Sequence, residues 1–301
     1  MLLFNVISSD NNFESYAVLL ATFNGAEFLR SQLESILANT DGISDYIQVS
    51  DDGSMDSTRV ILQTFGISPL VGPALGPSLN FEYLIKNCRD VNYVFLSDQD
   101  DVWLDAKMMK SIDLLQKATI PSLVVTSVIT SKGKLIVPRV HNFPVALMRN
   151  NLQGCTFCFN KSLLDLLQSS NFSGAVMHDW WIGLFSLSHG SIISVKEPLS
   201  IYRLHSDNTI GLPTFFSRMK RFWLDLFRQN SREKITLQAI AFLPYASEKD
   251  KSNIREWLTA VQAPFLVRVL YVLTHARSFL EYYSDFTLIP HIISGSYKVA
   301  E

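Results

Sequence analysis

The sequence predicts an α/β domain, a mainly parallel sheet with helices on both faces, followed by a C-terminal helical extension. Three observations carry that expectation. Short apolar runs alternate with amphipathic segments from residue 16 to about 200. Clusters of aspartate stand where those runs end. Beyond Gly211 the chain becomes aromatic-rich, with helical spacing and no further acidic clusters. The expected division is therefore a catalytic domain over 1–212 and a helical region over 213–301.

Tyr16–Thr22 (YAVLLAT) reads as a buried strand, and Glu27–Ala38 has helical spacing through Phe28, Leu29, Leu33, Ile36 and Leu37. Tyr46–Ser50 is a second strand, stopped by Asp51-Asp52-Gly53-Ser54. Asp56 stands where it can cap a helix running towards Phe65. Tyr93–Ser97 is another buried strand; it ends in Asp98-Gln99-Asp100-Asp101, and a helix follows from about Asp105. Leu123–Ile129 is a further strand. Gly154–Phe159, a helix over Lys161–Gln168, Ala175–Ser188 and Ile192–Val195 extend the same layer. In open α/β sheets ligands bind outside the carboxyl ends of the strands. The acidic clusters fall at that position.

The 301 residues are 48% hydrophobic and 18% charged, with a net charge of −2, so nothing points to nucleic acid as a partner. Cys88, Cys155 and Cys158 are too few for a disulfide framework. Cys155 and Cys158 have CxxC spacing, but without a second pair or a nearby His they read as buried apolar residues. The N-terminal stretch lacks a basic start and its apolar run breaks early, which is unlike a signal peptide. No run reaches the about 18–20 apolar residues of a membrane span. The expectation is a cytoplasmic protein with reduced thiols.

Three carboxylates in the four residues Asp98–Asp101 repel one another unless a cation or donors compensate them. Mg²⁺ or Mn²⁺ suits such a site, because these ions take carboxylate oxygen and keep open positions for phosphate. A helix-start cluster is the simpler alternative, since acids near a helix N-terminus are favourable anyway. At Asp51-Asp52 the tight turn needs Gly53 but neither carboxylate, and a carboxylate can accept the ring N–H of uracil or thymine. Asp179, in His178-Asp179-Trp180-Trp181, reads either as a helix cap or as a general base with a raised pKa beside apolar rings. Arg203 and His205 in YRLHSDN could engage pyrophosphate or a metal.

ATFNG (Ala21–Gly25), SDDGSMDST (Ser50–Thr58), LSDQDDVW (Leu96–Trp103), Gly154-Cys155-Thr156, MHDWW (Met177–Trp181) and YRLHSDN (Tyr202–Asn208) occur in that order. Together they resemble family-2 glycosyltransferases of the GT-A fold, and within them the bacterial rhamnosyltransferases of cell-surface polysaccharide and O-antigen synthesis. The resemblance spans residues 16 to 212. It implies that Thr22, Phe23, Asn24 and Glu27 line a nucleotide pocket and that Asp52 reads the pyrimidine. It further implies Asp98 at the ribose, Asp100 on a Mg²⁺ or Mn²⁺ bridging the diphosphate, and Asp101 near the metal or donor sugar. His205 would complete the metal site, Arg203 would lie close to the phosphates, and Asp179 would be the catalytic base. Leu104-Asp105 departs from the Leu-Pro helix start common in relatives, and Asp105 can cap that helix instead.

The reaction so implied is a single inverting displacement from a nucleotide-diphosphate sugar, such as dTDP-rhamnose or a UDP-hexose, to a saccharide acceptor that is lipid-linked. A sugar-1-phosphate nucleotidyltransferase would carry a Gly-rich basic loop after its first strand, whereas ATFNGAEF has one glycine and no Lys or Arg. A receiver-type signalling domain would leave the Asp179 and Arg203 motifs without a purpose. An inactive glycan-binding relative fits poorly with the full acidic set. In the extension, Phe215, Phe216, Met219, Phe222, Trp223, Leu226 and Phe227 recur at helical steps. Six basic and two acidic residues over 214–234 leave that segment at +4. That pattern suits a peripheral membrane surface; packing on the catalytic domain or a homodimer contact are its alternatives.

Overall fold

The first strand, β1 (Tyr16–Thr22), sends alternate side chains into two apolar layers. Val18 and Leu20 pack with Leu29, Leu33 and Ile36 of α1 (Ala26–Asn39). Ala17 and Leu19 lie in the opposite layer with Phe81 and Leu84 of α3 (Pro77–Lys86). A strand buried on both faces reads as an unbroken apolar run, which is why YAVLLAT shows no polar alternation. The computed structural model describes residues 15–40, 42–205, 232–279 and 288–299.

The remaining strands are β2 (Ile47–Asp51), β3 (Leu70–Val71), β4 (Tyr93–Asp98), β5 (Val102–Trp103), β6 (Ser122–Thr130), β7 (Leu135–Ile136), β8 (Phe157–Asn160) and β9 (Ser191–Tyr202). They form one sheet in the order β3-β2-β1-β4-β8-β6-β9-β5, with β7 paired to β6. β3, β2, β1 and β4 are parallel, and so are β6 and β9. β8 runs antiparallel between β4 and β6. Helices α2 (Thr58–Thr64) and α4 (Lys107–Leu115) share the layer of α1, while α6 (Lys161–Ser169) and α7 (His178–His189) share that of α3. A short helix, α5 (Phe143–Ala146), packs on α7.

The described C-terminal segments are helical: Glu233–Phe242, Glu248–Gln262, Phe265–Thr274, Ala276–Phe279 and Leu288–Ser294. Their Phe242, Trp257, Tyr271, Ile292 and Tyr297 belong to the same apolar cluster as Trp181 and Phe185 of α7. Phe242 meets Trp181 edge-on at 5.3 Å. The aromatic stripe over Phe215–Phe227 lies outside the described residues. No described helix is long and apolar enough to cross a membrane.

Two capping expectations part ways. Asp56 takes both the Thr58 and the Ala26 backbone N–H, each at 3.0 Å, and so serves the first turns of α2 and α1 together. Asp105 does not cap α4. The preceding residue of that helix is Ala106, in the left-handed region at φ 65°, and no side chain caps it.

Candidate active site

In register, Thr22 of β1 pairs with Asp51 of β2, and Ala21 with Asp98 of β4. The carboxyl ends of three parallel strands therefore open side by side, and the loops that leave them are laced together. Asp51 is fully buried and accepts hydrogen bonds from Thr22 Oγ1, from the Ser54 amide and hydroxyl, and from Arg59 Nε at 2.6 Å. Burial alone would raise its pKa, but the Ser54 and Arg59 bonds and that of Thr22 outweigh it and hold the carboxyl below the usual range. Asp52 accepts the amides of Ala74 at 2.7 Å and Gly76 at 2.8 Å. Asn24, at φ 47°, receives the Met55 amide on Oδ1 and donates its own to Ser54 Oγ, both at 2.8 Å. Phe23 is 55% exposed beside these groups, and Glu27 is exposed in the first turn of α1.

Gln99 joins this loop to the acidic one. Its amide oxygen accepts from Phe23 N at 2.8 Å, and its nitrogen donates to Phe23 O at 2.9 Å. A Cβ on residue 25 would stand 2.1 Å from that oxygen, so any side chain there would displace Gln99 from its pair of bonds to Phe23.

The acids beyond β4 have another environment. Asp101 is buried, and among the described residues its carboxylate oxygens have no nitrogen or oxygen donor, only the Cys155 thiol beside them. Single ligand atoms of Asp98, Asp101 and Cys155 lie within 4.8 Å of one another. Burial, with the charges of Asp100, Asp101 and Asp179 added, raises the pKa of Asp98 well above the carboxylate range. Burial and the Asp100 charge bring Asp101 to about 6. Asp100 Oδ2 lies 2.8 Å from His205 Nε2. Arg203 donates to Ser31 Oγ at 2.6 Å and to the Asp101 carbonyl at 3.3 Å.

Asp179 sits in the first turn of α7, two positions beyond the N-cap Met177, which makes no side-chain cap bond. It is 8% exposed, and burial brings its carboxyl to about 7, against bonds from the Trp180 amide at 2.6 Å, Asn150 and Gly154. Its Cβ lies against Gly154, whose neighbour Cys155 is grouped with Asp98 and Asp101. Beside it His178 is buried against Phe81, ring centroids 4.1 Å apart, and burial lowers its pKa to about 3, so it is neutral. A Cβ at Gly154 would come within 2.5 Å of His178 Nε2, so a residue with no side chain lets α7 approach.

The structure thus groups Asp98 and Asp101, ties Asp100 to His205 and the Asp101 carbonyl to Arg203, and leaves Asp52 bonded to the turn at Ala74 and Gly76. Sequence reasoning missed Gln99, Asn150 and Lys107. Lys107 is fully buried, and its ammonium donates to Cys155 O at 2.6 Å and Ser200 Oγ at 2.8 Å, above the Trp103 ring at 4.5 Å. Burial lowers its pKa to about 8. A lysine close after three acids was the available signal.

The acidic groups fit a divalent ion. The buried carboxylates of Asp98 and Asp101 and the neighbouring one of Asp100 are hard oxygen ligands of the type Mg²⁺ and Mn²⁺ take, while the His205 imidazole and the Cys155 thiol are softer groups at its edge. The model of glycosyl transferase family 2 matches residues 17–163. Those residues are a family-2 glycosyltransferase domain. Over 228 residues the chain is 29% identical to the dTDP-rhamnosyl transferase RfbG of Shigella flexneri, covering 68% of this chain and 78% of that one. It is 24% identical to the uncharacterized glycosyltransferase RP339 of Rickettsia prowazekii (strain Madrid E), over 73% and 74% of the two chains. Among solved structures, S. aureus TarS 1–349 in complex with UDP-GlcNAc superposes with a TM-score of 0.53 at 13% identity, over 94% and 91% of the chains. The mannosyltransferase PcManGT of Pyrobaculum calidifontis, in complex with GDP-Man and Mn²⁺, gives 0.50 at 13%, over 94% and 86%. These likenesses are of fold alone, and they cover nearly the whole chain.

Proposed function

We propose that this glycosyltransferase is a metal-dependent, inverting rhamnosyltransferase that moves L-rhamnose from dTDP-rhamnose to a lipid-linked saccharide in bacterial surface polysaccharide synthesis. The observation that carries the chemistry is Asp179, a buried carboxyl at about 7 set beside, and not within, the Asp98–Asp101 cluster. A base needs a pKa near the working pH. The acceptor hydroxyl oxygen attacks the anomeric carbon, the bond from that carbon to the diphosphate oxygen breaks, and the hydroxyl proton passes to Asp179. Attack opposite the leaving group inverts the centre.

Asp98, Asp100, Asp101 and His205 would hold Mg²⁺ or Mn²⁺, which when bound neutralises charge on the departing diphosphate. Arg203 adds a cation on the same side. Thr22, Phe23, Asn24 and Glu27 form the nucleotide wall, with Asp52 accepting the thymine N–H on the lone pairs its two backbone bonds leave over. The rhamnosyl donor is supported by the 29% likeness to a dTDP-rhamnosyl transferase. Uridine-linked hexoses are the second reading, favoured by the same pyrimidine-directed carboxylate. The test is a donor screen by calorimetry with Mn²⁺: dTDP-rhamnose is expected to bind most tightly and to turn over. Tighter binding of a GDP- or CMP-sugar contradicts the assignment.

An acceptor carried on lipid calls for work at the inner face of the cytoplasmic membrane. Besides the basic aromatic segment, the helix Phe265–Thr274 exposes Leu266, Leu270 and Leu273, which supports this reading. Co-sedimentation with anionic vesicles is the expected result, and a protein left in the supernatant at low salt rejects it.

A further inference from the structure

The polar side of α1 does something the apolar pattern of that helix does not reveal. Ser31 and Gln32 stand three and four residues after Phe28, Ser35 stands four and three after them, and Asn39 four after Ser35, so the five form one stripe. Gln32 Nε2 donates to Ser97 Oγ at 2.6 Å, just before the acidic loop. Ser35 Oγ accepts from Trp103 N at 3.0 Å, and Asn39 Nδ2 donates to Leu104 O at 3.3 Å, just after it. Ser31 accepts from Arg203 at 2.6 Å. At the head of the stripe the Phe28 ring stacks on the His205 imidazole, centroids 4.5 Å apart at 24°, and the Arg203 guanidinium lies 5.5 Å from the same ring. One helix face therefore grips both ends of the acidic loop and the segment that follows β9.

We propose that Phe28 is a positioning residue for the metal site, acting through His205. The imidazole has two rotatable bonds, and its hydrogen bond to Asp100 fixes the aim of one nitrogen but not the plane of the ring. Stacking on Phe28 fixes that plane, so that Nε2 and Asp100 Oδ2 converge on a shared point. Groups that orient a metal ligand typically influence affinity by about 10–100-fold. Phe28 itself carries no metal-ligating atom.

The inference rests on the metal reading above, and the experiment separates the two. Mn²⁺ affinity is measured by the loss of the free-ion electron paramagnetic resonance signal, with dTDP present, for the full-length wild type and for His205→Ala, Phe28→Ala, Phe28→Leu and Phe28→Tyr. Thermal unfolding and dTDP binding in chelator are followed alongside. Phe28→Ala and Phe28→Leu are expected to weaken Mn²⁺ by about tenfold or more, with dTDP binding in chelator unchanged. Phe28→Leu keeps apolar bulk without a flat ring, and Phe28→Tyr, which restores the ring, should restore the affinity. If His205→Ala weakens Mn²⁺ while Phe28→Ala or Phe28→Leu binds as the wild type does, Phe28 has no positioning role and the metal site stands. If the wild type takes up no Mn²⁺, or His205→Ala loses none, the metal reading falls and the inference with it.

Discussion

Two groups of carboxylates beyond the strand ends are held in opposite ways. After β2, Asp51, Asp52 and Asp56 each accept two or more hydrogen bonds, several from backbone amides. Asp51 and Asp56 have lowered pKa values even though burial opposes the shift. After β4 and at the start of α7, Asp98, Asp101 and Asp179 are raised, and burial is the first cause in each. Hydrogen bonds to the charged form and withdrawal from water are separate routes to a perturbed acid. The first produces permanent anions that shape a loop. The second produces acids ready to take a proton or a cation, which is the property chemistry uses.

The contrast is broken most severely by removing the cation. With excess chelator, turnover is expected to vanish, because the raised acids then have nothing to neutralise them or the leaving group; full activity in EDTA sinks the metal assignment. Next in size is Asp179→Asn, which should cut kcat by about 10²–10⁴-fold while leaving donor affinity intact. A variant that folds and turns over normally moves the base elsewhere.

Stability against pH sharpens the comparison, since the two classes carry opposite signs. Asp51, depressed in the folded state, contributes stability above its unfolded value of 3.8 that is lost as pH falls through the lower folded value. Asp179, raised to about 7, contributes fully below 3.8 and loses that contribution as pH climbs to about 7. Denaturant midpoints measured from pH 4 to 7.5 should therefore decline less steeply in Asp179→Asn than in the wild type, and an unchanged slope contradicts the raised value. Smallest in effect is Asp51→Asn. Its Arg59 partner is half exposed, so the loss is confined mainly to the buried bonds, about 1–2 kcal/mol in chemical unfolding.

Much of this was legible in the sequence because β1, β2 and β4 are buried on both faces, and β2 and β4 end in acids. Apolar runs and strand-end carboxylates are local signals. The placement of β8 between β4 and β6 was not legible, because pairing direction depends on how the chain returns, not on periodicity. β9 reads as Ile192–Val195 but extends to Tyr202, since Lys196, Glu197 and Pro198 interrupt its apolar pattern across a register shift against β6. Asp105 looked like a cap because residue type was the only guide, and the left-handed turn at Ala106 is a backbone property. At the site, Asp98, Asp100, Asp101 and Asp179 stood out by charge. Gln99, Lys107 and the polar stripe of α1 did not, because their roles come from partners 48 to 172 positions away.

The central claim is that burial tunes Asp179 into a base, and the dependence of kcat on pH tests it most directly. With metal and both substrates saturating, the wild type should show an ascending limb centred at about 7. Asp179→Asn should lack that limb and run low and flat across the same range. A limb of the same midpoint retained in Asp179→Asn, or a wild-type rate that does not vary between pH 5.5 and 8.5, would contradict the account.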